Sequence, residues 1–305
     1  MSTTTVITSR KGAAGLATEL AELWQFRHLL GSLIRRELGL KYRGSIIRML
    51  WTFATPLAQI LAMTFVVRYV LGAGTKNATI YIMCGYLPWN FFQASVMEST
   101  VAIIGYYGIL KKVYFPREIP ILVTVCSNFI NLLISIVIFA VIRWGIFPLF
   151  TGPTGPPPRE LLLLPLILVL TFLFTASISL LVTAINYFYE DIRFMTQMVI
   201  NFMLYLLPIM YNAEMIMNST RIPSPNLRWV LYHLYLVNPL AWIVQAFKQI
   251  FFGVVNNAAP GSNALLPGAK FDYVYLELNI VTILLITVGS YHWFNQLKWK
   301  FTERP

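Results

Sequence analysis

The sequence is poor in charged residues. It holds 23 Lys and Arg and 12 Asp and Glu among 305 residues, 11% in all, whereas 57% of the residues are hydrophobic. A globular chain in water ordinarily carries about a quarter charged residues, because its surface needs them. The composition therefore excludes two soluble domains of ordinary length and indicates a protein whose solvent is a lipid bilayer.

Residue types that carry metal or nucleotide chemistry are also scarce. The two cysteines, Cys84 and Cys126, lie in apolar surroundings, and the two aspartates, Asp191 and Asp272, are far apart in the sequence. This pattern predicts no disulfide framework and no metal site, and it argues against a metal-dependent glycosyltransferase. The segment 72–76 (GAGTK) is the nearest approach to a P-loop but lacks its length and its final Ser or Thr. We therefore expect no bound cofactor and no enzymatic activity in this chain.

Six apolar segments are long enough to cross a bilayer, which takes about 20 residues of helix. They run over residues 50–71, 80–104, 119–142, 161–187, 194–211 and 276–294. We expect an all-α, multi-pass membrane protein with six transmembrane helices. Its predicted parts are an N-terminal segment 1–49, a six-span domain 50–295 and a C-terminal tail 296–305.

The basic residues predict the orientation. Fifteen of the 23 Lys and Arg fall in the short segments 1–49, 105–118, 188–193 and 295–305. Cytoplasmic segments carry such an excess, so both termini are predicted to be cytoplasmic. The net charge of +11 is thereby explained without nucleic acid as a partner.

The segment before the first span is amphipathic. Its apolar stripe consists of Leu16, Leu20, Leu23, Leu30 and Ile34. The cations that follow include Arg35, Arg36, Lys41 and Arg43. We expect an interfacial helix whose cations contact lipid headgroups. An ordinary basic flank beside the membrane explains the charges equally well.

Residues 212–275 are too many for a bare loop and too interrupted by proline for one span. Asn238 and Pro239 form a reasonable cap and first helical turn. An apolar stripe follows at helical spacing, made of Leu240, Ile243, Val244, Phe247 and Phe251. We expect short re-entrant helices on the outer side before the last span, where protein or a water-filled cavity must cover irregular backbone.

Three stretches of the sequence are distinctive and occur in a fixed order. They are residues 33–45 (LIRRELGLKYRGS) with Trp51 and 56–57 (PL), residues 85–92 (GYLPWNFF) with 111–118 (KKVYFPRE), and residues 207–211 (LPIMY) with 238–240 (NPL). They resemble the permease subunits of bacterial ABC exporters of O-antigen, capsule and teichoic acid, a group of the type-2 ABC permeases. The resemblance extends from about residue 24 to 300. The residues before Leu16 and the proline-rich loop 153–158 depart from it.

The resemblance implies a half-transporter that forms a homodimer and docks two copies of a separate ABC ATPase. ATP and Mg would be bound by that partner. The substrate implied is a cell-surface polysaccharide linked to polyprenyl diphosphate, exported across the bacterial cytoplasmic (inner) membrane.

Two predicted inner turns are candidates for coupling to the ATPase, because charged and aromatic side chains there would fit a groove on its surface. The first turn contains Lys111, Lys112, Tyr114, Phe115, Arg117 and Glu118, and the second contains Glu190, Asp191 and Arg193. We expect the N-terminal helix to pack beside them. Plain solvated turns are the alternative interpretation.

Aromatic residues are candidates for the wall of a conduit, because flat rings contact sugar C–H surfaces without fixing one hydroxyl geometry. The candidates are Trp51, Tyr86, Trp89, Phe92, Phe202 and Tyr205. Ordinary packing or an interfacial belt is the alternative. Glu98 lies inside the second predicted span, where a charge is costly unless it faces a cavity or a partner, so it is the polar candidate for the translocation path.

Two other functions stay open on the residues alone. The first is a type-2 ABC permease that exports a drug or a small lipid, because a fold does not determine its cargo. A secondary transporter or channel would need no ATPase, but the sequence holds one clear acid within the spans and no visible repeat.

Overall fold

The computed structural model describes residues 23–42, 46–70, 72, 78–106, 108, 115–146, 148–151, 157–189, 191–211, 213–217, 222–252 and 271–298. Within these ranges the chain is helical and forms no strand. The longer helices are α1 Arg27–Tyr42, α2 Ile46–Phe65, α3 Ala78–Ser99, α4 Glu118–Val141, α5 Leu164–Phe188, α6 Ile192–Leu206, α7 Pro225–Val237, α8 Pro239–Phe252 and α9 Tyr273–Lys298. The predicted all-α fold class is confirmed.

Three helical stretches are long and apolar enough to cross a membrane. They are Glu118–Ile146, which extends α4 by a π-helical turn, Arg159–Phe188, which adds a 3₁₀ turn before α5, and α9. Helices α7 and α8 reach the same criterion only as a pair, and they are bent by 88° at Asn238. α6 and the end of α2 are apolar but shorter.

Helix α3 is the central element of the bundle. It contacts α2, α4, α5, α6 and α8, and 16 of its 22 residues are buried. Phe92 stacks on Phe174 of α5, and Phe91 packs edge-on against Phe129 of α4, with ring centroids 5.7 Å apart in both pairs. Because its neighbours enclose it, α3 needs no uniformly apolar face and can carry buried Ser95 and Ser99.

Helix α1 packs against the beginning of α4. Between them lies a small apolar cluster of Leu33, Tyr106, Phe115, Ile119 and Val123. Leu23, Leu30 and Ile34 of the predicted stripe pack against this cluster. Leu16 and Leu20 lie outside the described residues. We call this side of the bundle the α1 end.

The two helices of the bent pair begin in the same way. In α7, Ser224 Oγ accepts a hydrogen bond from Leu227 N and Pro225 is the first helical residue. In α8, Asn238 Oδ1 accepts from Leu240 N at 3.1 Å and Pro239 is first. A polar cap followed by proline satisfies free backbone donors at a helix start. The predicted start of α8 is confirmed, and its whole predicted stripe is buried.

Candidate functional site

A polar cluster joins three helices near the α1 end. The Lys41 ammonium lies 2.7 Å from Glu98 Oε2 and 2.8 Å from Asn128 Oδ1, and Asn128 Nδ2 donates to Glu98 Oε2 at 2.9 Å. Glu98 therefore has both a cation and an amide donor, although its side chain remains 43% exposed. The carboxylate predicted for the translocation path is thus held by α1 and α4.

A second polar contact fastens α1 one turn earlier. Tyr106 donates a hydrogen bond to Glu37 Oε2 at 2.9 Å, and the Arg36 guanidinium lies 5.9 Å from the centre of the Tyr106 ring. Burial raises the pKa of the Tyr106 phenol, and the hydrogen bond to Glu37 raises that pKa further. The phenol is consequently protonated, and acts as a donor, throughout the physiological range.

The predicted lipid contacts differ in their surroundings. Arg35 and Arg36 are exposed, whereas Lys41 points to Glu98 and Asn128. Arg43 lies outside the described residues. Contact with lipid headgroups stays a prediction for all four, and Lys41 has protein partners that the sequence did not indicate.

The first predicted coupling turn is tied to the end of the last helix. Lys298 Nζ lies 3.0 Å from Glu118 Oε1, and Arg117 donates to the backbone oxygen of Lys298. The Glu118 side chain is 2% exposed, and its second oxygen accepts no hydrogen bond in the described structure. Phe115 is buried against α1. The start of α4 is therefore in direct contact with both α1 and α9.

The remaining coupling candidates are only partly described. Lys111, Lys112, Tyr114 and Glu190 lie outside the described residues. Asp191 and Arg193 are exposed, and Asp191 immediately precedes the first turn of α6. A carboxylate in that position is favoured by the partial positive charge of a helix N-terminus. A coupling role for these residues stays a prediction.

The predicted channel aromatics fall into two groups. Tyr86, Trp89 and Phe92 of α3 are 2%, 0% and 5% exposed, and Tyr86 donates to Gln59 of α2. Such residues pack the interior and present no surface to a passing polymer in this conformation. The structure describes the backbone at Trp51, but the Trp51 side chain lies outside what it describes.

Helix α6 presents a different surface. Phe202 and Tyr205 are 65% and 67% exposed, and the apolar exposed face continues through Phe194, Met198 and Val199. A continuous exposed face of five apolar side chains requires contact with lipid or with another protein surface. Of the aromatic candidates whose side chains are described, Phe202 and Tyr205 alone have rings open to such contact.

One buried cation was missed by the sequence analysis. Lys248 of α8 is 1% exposed, and its ammonium contacts the backbone oxygens of Pro208, Ile209 and Tyr211. It also lies 4.0 Å from the centre of the Tyr81 ring. A lysine between Phe247 and Phe251 in an apolar stripe is the signal that would have revealed it, because an ionisable residue within membrane helices needs a specific partner.

Comparison with known proteins gives the same family along most of the chain. Residues 28–252 match the family described as ABC-2 type transporter. A protein of Klebsiella pneumoniae named O-antigen export system permease protein RfbA is 25% identical over 277 residues, covering 90% of this chain and 94% of the relative. A Myxococcus xanthus protein of the same name is 26% identical over 257 residues, covering 84% and 91%.

These matches run through α1 to α8 and so include the α1 end, the exposed face of α6 and the bent pair. They confirm the resemblance found in the sequence. The chain is a membrane protein and a transport subunit, and it belongs to the ABC-2 type transporter family.

Proposed function

We propose that this chain is the permease of an ATP-driven exporter that moves a polysaccharide linked to polyprenyl diphosphate across the bacterial cytoplasmic membrane. The observation that carries the proposal is the similarity, over 90% of the chain, to a protein named as an O-antigen export permease. Family membership supports the transport mechanism, and the names of the relatives support the cargo.

The proposed topology has six spans and cytoplasmic termini. Helices α4, α5 and α9 have the required length and apolarity. α2 with its π-helical extension to Val70, the enclosed helix α3 and the shorter α6 would supply the other three. The 88° bend between α7 and α8 suits a re-entrant pair on the outer side. The α1 end then faces the cytoplasm, in agreement with the basic segments.

The proposed conduit forms between two copies of the chain. The exposed α6 face supports this arrangement, because pairing would enclose its apolar surface between the two copies. Phe202 and Tyr205 would contact the sugars, whereas Tyr86, Trp89 and Phe92 would stabilise the helices behind the wall. Trp51 belongs to the proposal on its sequence context alone.

ATP and Mg would enter the cycle through two copies of a separate ATPase at the α1 end. The contacts Glu118–Lys298 and Arg117–Lys298 support this location, because they link the predicted coupling turn to the last helix. Asp191 and Arg193 would form the second contact. The Lys41–Glu98 pair lies at the end of α3 and not at its middle, so it gives little support to a secondary transporter.

Purification of the tagged chain from its own host tests the proposal. A Walker-motif ATPase should be recovered with it, and ATP turnover of that ATPase should rise when the chain and a lipid-linked polysaccharide are present together. If a drug or a simple lipid stimulates ATP turnover and the polysaccharide does not, the proposed cargo is wrong and the ATP-driven mechanism stands. Absence of any ATPase would contradict the proposal.

A further inference from the structure

An unwound segment follows α6 inside the protein. The helix ends at Leu206, because Pro208 lacks an N–H and favours an extended conformation for Leu207, which has φ −78° and ψ 152°. Leu207 and Ile209 are 2% and 0% exposed. Backbone oxygens released here face protein and cannot all rely on water, so they need internal donors.

The donors come from three side chains, one at the end of the segment itself and two on α7 and α8. Tyr211 and Tyr235 donate to the oxygen of Leu206, which belongs to the last turn of α6. Lys248 Nζ donates hydrogen bonds to backbone oxygens of the residues that follow. It lies 3.0 Å from Ile209 O and 3.1 Å from Tyr211 O, and it also contacts Pro208 O. These three backbone oxygens match the three N–H groups of a lysine ammonium, whereas a neutral amine has only two N–H groups.

The rest of the site is shaped around the lysine. The Tyr81 ring lies 4.0 Å from Nζ, so its face adds a favourable cation–π contact. Gly85 leaves room for the stem, because a Cβ at that position would lie 2.6 Å from Lys248 Cε and 3.3 Å from Val244 Cγ1. Carbonyl dipoles, an aromatic face and a glycine gap together form a fitted site for one ammonium.

We propose that Lys248 is a positioning residue for transport, whose ammonium holds the segment 207–211 and thereby the end of the exposed α6 face. Phe202 and Tyr205 lie within two turns of that segment, so its position sets where the face ends. The transport part of this inference rests on the proposed function. The local part, that Lys248 holds the segment, does not.

The test compares Lys248→Met with Gln249→Met, which introduces the same side chain at the neighbouring half-buried position. Gly85→Ala keeps the lysine but crowds its stem. Hydrogen exchange of a peptide covering residues 203–211 is followed in each variant, purified as the tagged full chain. Export is followed in cells that depend on the variant, by periodate oxidation and hydrazide labelling of the host's own surface polysaccharide.

We expect Lys248→Met to speed exchange in residues 203–211 and to lower surface polysaccharide about tenfold, because two buried backbone oxygens and one part-buried oxygen lose the donor that Lys248 provides. Gly85→Ala should produce a smaller change in the same direction in both measurements, and Gln249→Met should change neither. Gly85→Ala also provides the result if Lys248→Met does not accumulate.

Unchanged exchange in both Lys248→Met and Gly85→Ala would overturn the inference. Faster exchange with undiminished export would overturn the positioning role. Failure of the proposed function has a different signature, because cells without this chain would then keep their surface polysaccharide while the exchange measurement still reports on Lys248.

Discussion

Lys41 and Glu98 form an ion pair between α1 and α3, 2.7 Å from ammonium nitrogen to carboxylate oxygen, although 57 residues separate them in sequence. Asn128 of α4 bonds to both partners. A helix expected to contact lipid is thereby fastened to the bundle. Movement of α1 must either carry the end of α3 and the middle of α4 with it or break the two contacts that Lys41 makes.

Replacing Glu98 by leucine should impair export and leave the homodimer assembled. The change removes the carboxylate from Lys41 and Asn128, and for a pair this exposed we expect a loss of about 1 kcal/mol in the free energy of unfolding. Surface polysaccharide and the oligomeric state in detergent are the measurements. The charge-reversed double variant, Lys41→Glu with Glu98→Lys, should export more than Glu98→Leu but less than the wild type. Wild-type export in Glu98→Leu would limit Glu98 to a structural role.

The Glu118–Lys298 pair should respond differently to one substitution than to two. Lys298→Met leaves a buried carboxylate without its cation, which costs about 3 kcal/mol in comparable sites. Glu118→Leu together with Lys298→Met removes both charges and should cost much less. Thermal unfolding of the purified complex measures stability, and ATP turnover measures coupling. Equal losses in the single and double variants would contradict a direct pair.

The second predicted coupling turn is tested by Glu190→Ala with Asp191→Ala. We expect lower polysaccharide-stimulated ATP turnover with little change in stability, because Asp191 is exposed. Glu160→Ala is the matched control, since Glu160 lies in the 3₁₀ turn at the opposite end of Arg159–Phe188. Unchanged turnover in the double variant would remove this turn from the coupling surface.

Two aromatic substitutions should separate packing from conduit contact. Trp89→Ala empties a fully buried position and should lower the free energy of unfolding by about 3–5 kcal/mol. Phe202→Ala changes a ring that is 65% exposed, so it should spare the fold and lower export per folded transporter. Thermal unfolding measures the stability of each variant, and surface polysaccharide measures its export. If Phe202→Ala is destabilised but its export per folded transporter is normal, the Phe202 ring has a packing role.

The helices could be predicted because their signals are local. Length and apolarity locate α4, α5 and α9, and the Asn238–Pro239 pair marks the start of α8 within a few residues of sequence. Whether an aromatic side chain is buried or exposed does not depend on its local sequence. Trp89 and Phe202 occur in similar apolar surroundings, and only the packing of α3 inside the bundle makes one buried and the other exposed.

Partners distant in sequence were likewise beyond prediction. Nothing near Glu98 indicates Lys41, and nothing near Glu118 indicates Lys298, because these pairs depend on how α1 and α9 dock. Lys248 was different. Its position in an apolar stripe was visible, but its three carbonyl partners required the unwound segment that Pro208 imposes after α6.

In the proposed function, this chain moves lipid-linked polysaccharide across a bilayer when a separate ATPase hydrolyses ATP. Proteoliposomes containing the chain and its ATPase, loaded from one side with polyprenyl-diphosphate-linked polysaccharide, test it most directly, with a glycosidase on the other side as the probe. We predict that cleavage requires ATP and stops when the Walker lysine of the ATPase is replaced. Cleavage at the same rate without ATP, or with the inactive ATPase, would contradict ATP-driven export by this chain.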